Sequence, residues 1–197
     1  MMFNFLTCHS FVQDMEALLP NVFAWQVRNM PLAQRIAAIQ NYECYLLLQA
    51  QSKRMGMQAS DAEIVSWLDN IVIIRRLLNY LKTSELVDCA IGLEVALPTQ
   101  KKIDVLLYRG SKMMIIESCY QQPNSNSLDV ENRQQVDSYQ KILQFHHLDL
   151  LQVDSLIINM LPEYDATGKI LDEEAKNKNE ELLASIAVRI RTFFFSK

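Results

Sequence analysis

The chain has 197 residues, 50% of them apolar and 21% charged, which suits one folded domain with a helical addition. Its net charge of −4 excludes a general electrostatic attraction to nucleic acid and leaves only a local basic patch for such contacts. The four cysteines lack zinc-site spacing, and no apolar stretch is long enough to span a bilayer. Because the N-terminus lacks the basic flank of a signal peptide, we expect a cytoplasmic protein without membrane contacts.

Residues 1–58 are predicted to form a helical extension of a domain that occupies residues 59–197. Apolar residues recur there at helical spacing in two runs, one ended by Pro20 and one opened by Pro31. The segment is also rich in Met and Gln. We interpret it either as a cap that packs on the domain or as a surface that docks a protein partner.

The next predicted helix covers residues 60–83. Ser60 is a good N-cap, and Glu63 three residues later completes a capping box. The apolar residues of this helix mark one face: Ile64, Trp67, Leu68, Ile71, Ile74, Leu78 and Leu81.

Three short apolar runs then follow, at residues 93–97, 103–107 and 113–116. Pro98 separates the first run from the second, and Gly110 separates the second from the third. Short apolar runs bounded by turn residues are typical of buried strands.

Each of these predicted strands carries or adjoins one acid: Glu94, Asp104 and Glu117. A carboxylate in or beside a core strand is costly unless another group compensates its charge. A divalent cation is one such group, since hard cations prefer oxygen ligands. We therefore expect the three carboxyl groups to converge.

The remaining elements are a polar loop at residues 121–127, a helix at 130–145, a strand at 156–160 and a helix from about residue 173. Three strands, a helical crossover and a fourth strand predict an α/β fold. The expected architecture is a mixed four-stranded sheet flanked by helices, with an N-terminal helical extension.

The order of elements and four residues resemble the PD-(D/E)xK restriction-endonuclease-like superfamily. Asp104 and then Glu117 resemble the Asp and the Glu-x-Lys motif that this family carries on its second and third core strands. Gln135 and Tyr139, four residues apart, resemble the Gln-x-x-x-Tyr element of RecB-type nucleases. The resemblance covers residues 60–160 and implies an αβββαβ core.

Residues 94–104 are similar to one branch of that superfamily, the nuclease-like domain at the front of some bacterial helicase-like ATPases. Leu97-Pro98 and Lys102-Ile103-Asp104 stand at matching places. This resemblance implies hydrolysis of a phosphodiester, with DNA as the expected partner.

The resemblance also implies roles for individual residues. Asp104, Glu117 and the carbonyl of Ser118 would hold Mg²⁺ or Mn²⁺, and Glu94 would reach the same site or orient a water. The catalytic set would further include Gln135 and Tyr139, in contact with the DNA backbone or a metal-bound water. The alternative is that Gln135 is helix surface and Tyr139 is core.

One position departs from the family pattern. Cys119 stands where the family has its lysine, and a thiol cannot supply that positive charge. Four lysines are candidate substitutes: Lys101, Lys102, Lys112 and Lys141. The departure leaves a second function open, in which the fold has lost catalysis and serves as a nucleic-acid- or protein-binding module.

A basic patch is predicted around the strand connections. Its members are Lys101, Lys102, Arg109 and Lys112. The patch is interpreted either as a phosphate-contacting surface or as an ordinary solvated hairpin. Asp104 could likewise be a strand-end residue paired with a neighbouring lysine, and an unrelated α/β domain remains the third reading.

Overall fold

A computed structural model of the chain describes residues 6–18, 31–54, 56, 58–97, 102–120, 126–146, 152–161, 163 and 173–196. In chain order the elements are β1 (Leu6–Thr7), α1 (Cys8–Leu18), α2 (Leu32–Ile39), α3 (Glu43–Arg54), α4 (Asp61–Leu78), α5 (Thr83–Asp88), β2 (Ala90–Ala96), β3 (Lys102–Arg109), β4 (Lys112–Tyr120), α6 (Asn126–His146), β5 (Gln152–Met160) and α7 (Glu173–Phe195).

The strands form one sheet in the order β1-β2-β3-β4-β5. Neighbours are antiparallel from β1 to β4, whereas β5 pairs with β4 in parallel after the crossover through α6. The predicted α/β fold with a mixed four-stranded sheet and flanking helices is thus confirmed. The structure adds the two-residue β1, in which Leu6 pairs with Ile91 at the edge of the sheet.

Apolar side chains cover both faces of the sheet. The larger core lies on the face of α4 and α7, and the buried side chains of α1, α2 and α3 belong to the same cluster. The smaller core lies on the opposite face, where Tyr139 and Leu143 of α6 pack on strand residues such as Leu106 and Ile115. The described part of the chain has no helix with the length and hydropathy of a membrane span.

Helix α4 begins as expected but ends earlier. The N–H of Glu63 donates to the Ser60 hydroxyl at 3.3 Å, and the N–H of Ser60 donates to the Glu63 carboxylate at 2.8 Å, which is the predicted capping box. The helix ends at Leu78 rather than near residue 83. A separate helix, α5, begins at Thr83, where the Glu85 carboxylate accepts the N–H of Lys82 at 2.7 Å and so caps the new N-terminus.

Two other elements are longer than expected. Helix α6 already begins at Asn126, and β5 begins at Gln152, where it pairs with Lys112. The first half of β5 is polar, so the sequence does not predict a strand there, but pairing with β4 holds these residues extended. The expected loops lie mostly outside the described residues, at 121–125 and 164–172.

Candidate active site

Three acids occupy one row across the middle of the sheet. Glu94 and Asp104 lie between two successive pairs of β2 with β3, Leu93↔Val105 and Val95↔Ile103, which brings the two acids side by side. The pairing of β3 with β4, continued by one residue beyond Val105↔Ile116, puts Asp104 opposite Glu117. The structure therefore brings the three sequence-predicted acids together from three adjacent strands.

The row lies where β3 and β4 stop pairing. In the described part of both strands, the last recorded pair on this side is Val105↔Ile116. The N–H of Asp104 donates instead to the Glu117 carboxylate, with 3.3 Å between N and Oε1. A side chain thus replaces a backbone acceptor. Acids at this point can contact groups from α4 on one face of the sheet and from α6 on the other.

Glu94 has an unusual backbone. Its φ of +50° lies in the left-handed region, which costs a non-glycine residue about 1–2 kcal/mol. Leu93 and Val95 would share a face in a regular strand, but Leu93 packs in the core under α4 and Val95 in the core under α6. The alternation of β2 therefore changes face at Glu94, and that of β3 changes likewise between Ile103 and Val105. Left-handed outliers such as Glu94 occur preferentially at functional sites.

Burial and mutual repulsion dominate the electrostatics of the row. Burial raises the pKa of Glu94 to about 7, and the charge of Asp104 adds to the rise. Burial also raises the pKa of Asp104 and that of Glu117, which the Asp104 charge raises further. The side chains of Asp104 and Glu117 are hydrogen-bonded to each other, so they share a proton when no cation is bound.

Among the described lysines, Lys102 lies beside the row. Its charge opposes the pKa rise of Glu94, and its Nζ lies 5.8 Å from the centre of the Trp67 ring, a cation–π distance. It also lowers the pKa of Glu63, after the larger effect of the capping bonds from Ser60. Lys102 thus supplies positive charge beside the acids.

The other basic residues lie elsewhere or outside the described residues. Arg109 donates to the carbonyl of Phe194 at 2.7 Å, and Lys112 donates to that of Phe193 at 2.6 Å, so both bind the C-terminal turn of α7. Lys141 lies on the outer surface of α6. Lys101 and the Cys119 side chain fall outside the described part, and phosphate contacts by Arg109 and Lys112 stay a prediction.

Helix α6 brings Tyr139 to the row from the other side. The Gln135 amide donates to the Tyr139 hydroxyl at 2.6 Å, so each side chain restrains the orientation of the other. Burial raises the pKa of Tyr139 to about 12, and the charges of Glu117, Asp104 and Glu94 contribute, which places its hydroxyl near all three acids. Tyr139 is buried, whereas Gln135 is exposed at the helix surface.

Sequence reasoning missed two polar contacts from α4. The Trp67 side chain donates to Glu94, and the Asn70 side chain donates to Asp104. Trp67 and Asn70 are three residues apart and share the sheet-facing side of the helix. A signal was present in the sequence, because Asn70 is a polar residue between apolar positions that face the core.

The donor set fits a hard cation only in part. In the described residues, no group of three or more His, Cys, Asp or Glu side chains is arranged to hold a metal ion. A metal here would therefore depend on Asp104 and Glu117, the Ser118 carbonyl and water. Mg²⁺ commonly binds through one or two carboxylates and keeps several waters, so the chemistry of these donors is suitable.

We compared the chain with protein-family models, curated proteins and solved structures. No family model, no curated protein and no solved structure matches it.

Proposed function

We propose that this chain is a metal-dependent phosphodiester hydrolase of the PD-(D/E)xK type that acts on DNA in the cytoplasm. The row formed by Glu94, Asp104 and Glu117 carries the proposal. Glu94 and Glu117 are buried and Asp104 is half-buried. Three acids whose charges repel one another are an unfavourable arrangement in such a place, and a divalent cation would offset that repulsion. The hydroxyl of Tyr139, which accepts a hydrogen bond from Gln135, supports the same reaction as a polar group beside the acids.

Asp104, Glu117 and the Ser118 carbonyl would hold Mg²⁺ or Mn²⁺. A bound divalent cation would lower the pKa of a water and neutralise charge on the phosphate. Glu94 is the acid beside this pair, and its pKa near neutrality suits a carboxylate that orients a water and accepts its proton. The water oxygen would bond to phosphorus as the phosphorus–oxygen bond to the leaving sugar breaks, and that sugar oxygen takes up a proton.

Two further groups would contact the substrate. The ammonium of Lys102, beside Glu94, would supply the positive charge that Cys119 cannot. The exposed Gln135 would donate to a backbone phosphate while its contact with Tyr139 fixes its orientation.

The test is cleavage of plasmid and linear DNA with Mg²⁺ or Mn²⁺. We expect Asp104→Ala and Glu117→Ala each to lower cleavage at least about 100-fold, because each removes a metal ligand. Asp154→Ala is the matched control, since it removes an acid of the same sheet that pairs with Arg189 at 2.7 Å. Cleavage that survives the loss of both Asp104 and Glu117 would overturn the proposal.

A second candidate function is a nuclease fold without catalysis that binds DNA or a protein partner. Cys119 at the position of the family's lysine favours it. The exposed apolar side chains of Leu32, Leu46 and Leu47, on α2 and α3, favour a protein partner on residues 1–58. This candidate predicts no metal-dependent cleavage by the wild type. DNA binding would weaken steeply with salt, whereas partner binding through apolar residues would not.

A further inference from the structure

Asn70 is a polar residue within an apolar surface. It lies on α4 between Trp67 and Ile74, faces the sheet, and is only 8% exposed. Burying an amide is unfavourable unless both its donor and its acceptor find partners. An apolar residue at this position would extend the core, so the two partners of Asn70 must account for the amide.

Both ends of the Asn70 amide contact the acid row. Its Oδ1 accepts a hydrogen bond from the Ser118 hydroxyl at 2.5 Å, and its side-chain nitrogen donates to the Asp104 carboxylate. The backbone N–H of Ser118 donates to the same carboxylate. Asn70 and Ser118 therefore form a closed set of hydrogen bonds around Asp104, at the point where β3 and β4 part.

We infer that Asn70 is a positioning residue, which orients the Asp104 carboxylate and the Ser118 backbone so that both can bind one divalent cation. The inference rests on the proposed function. An amide suits this task because it donates to a carboxylate without adding charge to the site. Such outer-shell partners of metal ligands typically change metal affinity by about 10- to 100-fold when they are removed.

Asn179 provides a comparison within the same chain. It is also a buried amide, 1% exposed, but its side chain donates to the Leu161 carbonyl at 2.9 Å and to Glu163 at 2.7 Å. It connects α7 to the end of β5 and contacts none of the three acids. Loss of Asn179 should therefore affect the fold and leave the acid row intact.

The experiment measures Mn²⁺ affinity by isothermal titration calorimetry, and folding by denaturant unfolding in EDTA. For Asn70→Leu we expect Mn²⁺ binding about 10- to 100-fold weaker than wild type. For Asn179→Leu we expect lower stability but Mn²⁺ affinity within about twofold of wild type, because its contacts are remote and independent. A structural role alone would lower stability in both variants and affinity in neither.

Ser118→Ala decides the case if Asn70→Leu does not fold. It removes only the hydroxyl that orients the Asn70 amide, so we expect a smaller loss of Mn²⁺ affinity, of about two- to tenfold. Wild-type affinity in Ser118→Ala and in any folded Asn70→Leu would overturn the inference, while Asp104→Ala still abolishing Mn²⁺ binding would leave the proposed function standing. A wild type that binds no Mn²⁺ would overturn both.

Discussion

The backbone N–H of Asp104 donates to the Glu117 carboxylate at 3.3 Å, where a regular ladder would place a carbonyl acceptor. The two side chains are also hydrogen-bonded and repel each other when both are ionised. Ionisation of both acids is therefore unfavourable, and the proposed cation would offset the repulsion between them.

The first prediction follows from that repulsion. Burial and the Asp104 charge raise the pKa of Glu117 to about 9, so at pH 7 this carboxyl group must take up a proton when the chain folds, which destabilises the fold. Glu117→Gln keeps the shape and a hydrogen-bond donor but has no proton to take up. In EDTA at pH 7 we expect its free energy of unfolding to rise by about 1–2 kcal/mol, or Tm by about 2–8 °C for a chain of this size. Mn²⁺ should raise the Tm of the wild type by mass action, and should raise the Tm of Glu117→Gln little.

Thermal unfolding with EDTA and with Mn²⁺ measures both parts of this prediction. Glu181→Gln is the control, because Glu181 is an exposed acid of α7. Its Tm should equal that of the wild type both in EDTA and in Mn²⁺. A Glu117→Gln variant that is less stable than wild type in EDTA would contradict the repulsion argument.

The second prediction concerns the left-handed backbone of Glu94. Glu94→Gly and Glu94→Ala both remove the carboxylate, but only glycine adopts a φ of +50° at no steric cost. We expect Glu94→Gly to be more stable than Glu94→Ala by about 1 kcal/mol in denaturant unfolding. In the same strand, Ala96→Gly should instead lose about 0.5–1 kcal/mol, because Ala96 is an exposed residue with an ordinary strand backbone. If glycine were less stable than alanine at position 94 as well as at position 96, the left-handed backbone of Glu94 would not be strained.

The sequence was sufficient to predict the acid row. One acid recurs in or beside each of three short apolar runs, and antiparallel neighbours bring such positions together whatever the remaining chain does. The sequence did not indicate the left-handed turn at Glu94, because nothing in a Leu-Glu-Val stretch distinguishes it from a regular strand.

Contacts between elements that are far apart in the chain could not be predicted from the sequence either. The crowding of Arg109 and Lys112 near a hairpin predicts either a phosphate patch or a solvated hairpin, and it does not indicate that both side chains donate to the carbonyls of Phe194 and Phe193. Their partners lie more than 80 residues later in the chain, and no local sequence pattern predicts a contact at such a separation. The role of Asn70 likewise depends on which side of α4 meets the sheet.

The third prediction uses a polar network away from the site. Arg76 donates to Glu163 at 3.0 Å and also pairs with Glu180, which accepts from the Tyr80 hydroxyl. Burial opposes ionisation of Glu180, but the hydrogen bonds from Tyr80 and Arg76 and the Arg76 charge outweigh it and lower the pKa. A lowered carboxyl pKa stabilises the fold above the unfolded-state value, and this stabilisation disappears as pH falls through the folded-state value.

We therefore expect Glu180→Gln to have a lower Tm than wild type at pH 7. The difference should shrink below the ordinary glutamate value of about 4.5 and vanish in more acidic buffer. Glu174→Gln is the control, since its pair with Lys178 on the exposed face of α7 should be worth little at any pH. A Tm difference that is independent of pH would show that the charge of Glu180 is not what stabilises α7 on α4.

The last prediction decides between the two proposed functions, metal-dependent DNA cleavage and binding without catalysis. Lys102→Met removes the ammonium beside Glu94 and keeps much of the apolar stem. In a working nuclease we expect DNA cleavage to fall at least about tenfold, since a positive charge at the phosphate is lost. Mn²⁺ affinity should stay equal or increase, because a cation that competes for the same acids is gone.

Cys119→Lys in the Lys102→Met background should restore cleavage, because it returns the charge to the position where the resembling family carries it. Lys112→Met is the matched control, since Lys112 binds the Phe193 carbonyl at 2.6 Å and should affect stability alone. A gel assay of plasmid nicking with Mg²⁺ or Mn²⁺ measures these three variants, and Cys119→Lys alone, beside the wild type. Wild-type cleavage in Lys102→Met would refute the assignment of Lys102. No cleavage by the wild type, with cleavage gained in Cys119→Lys, would identify a binding module that lost its activity through this one residue.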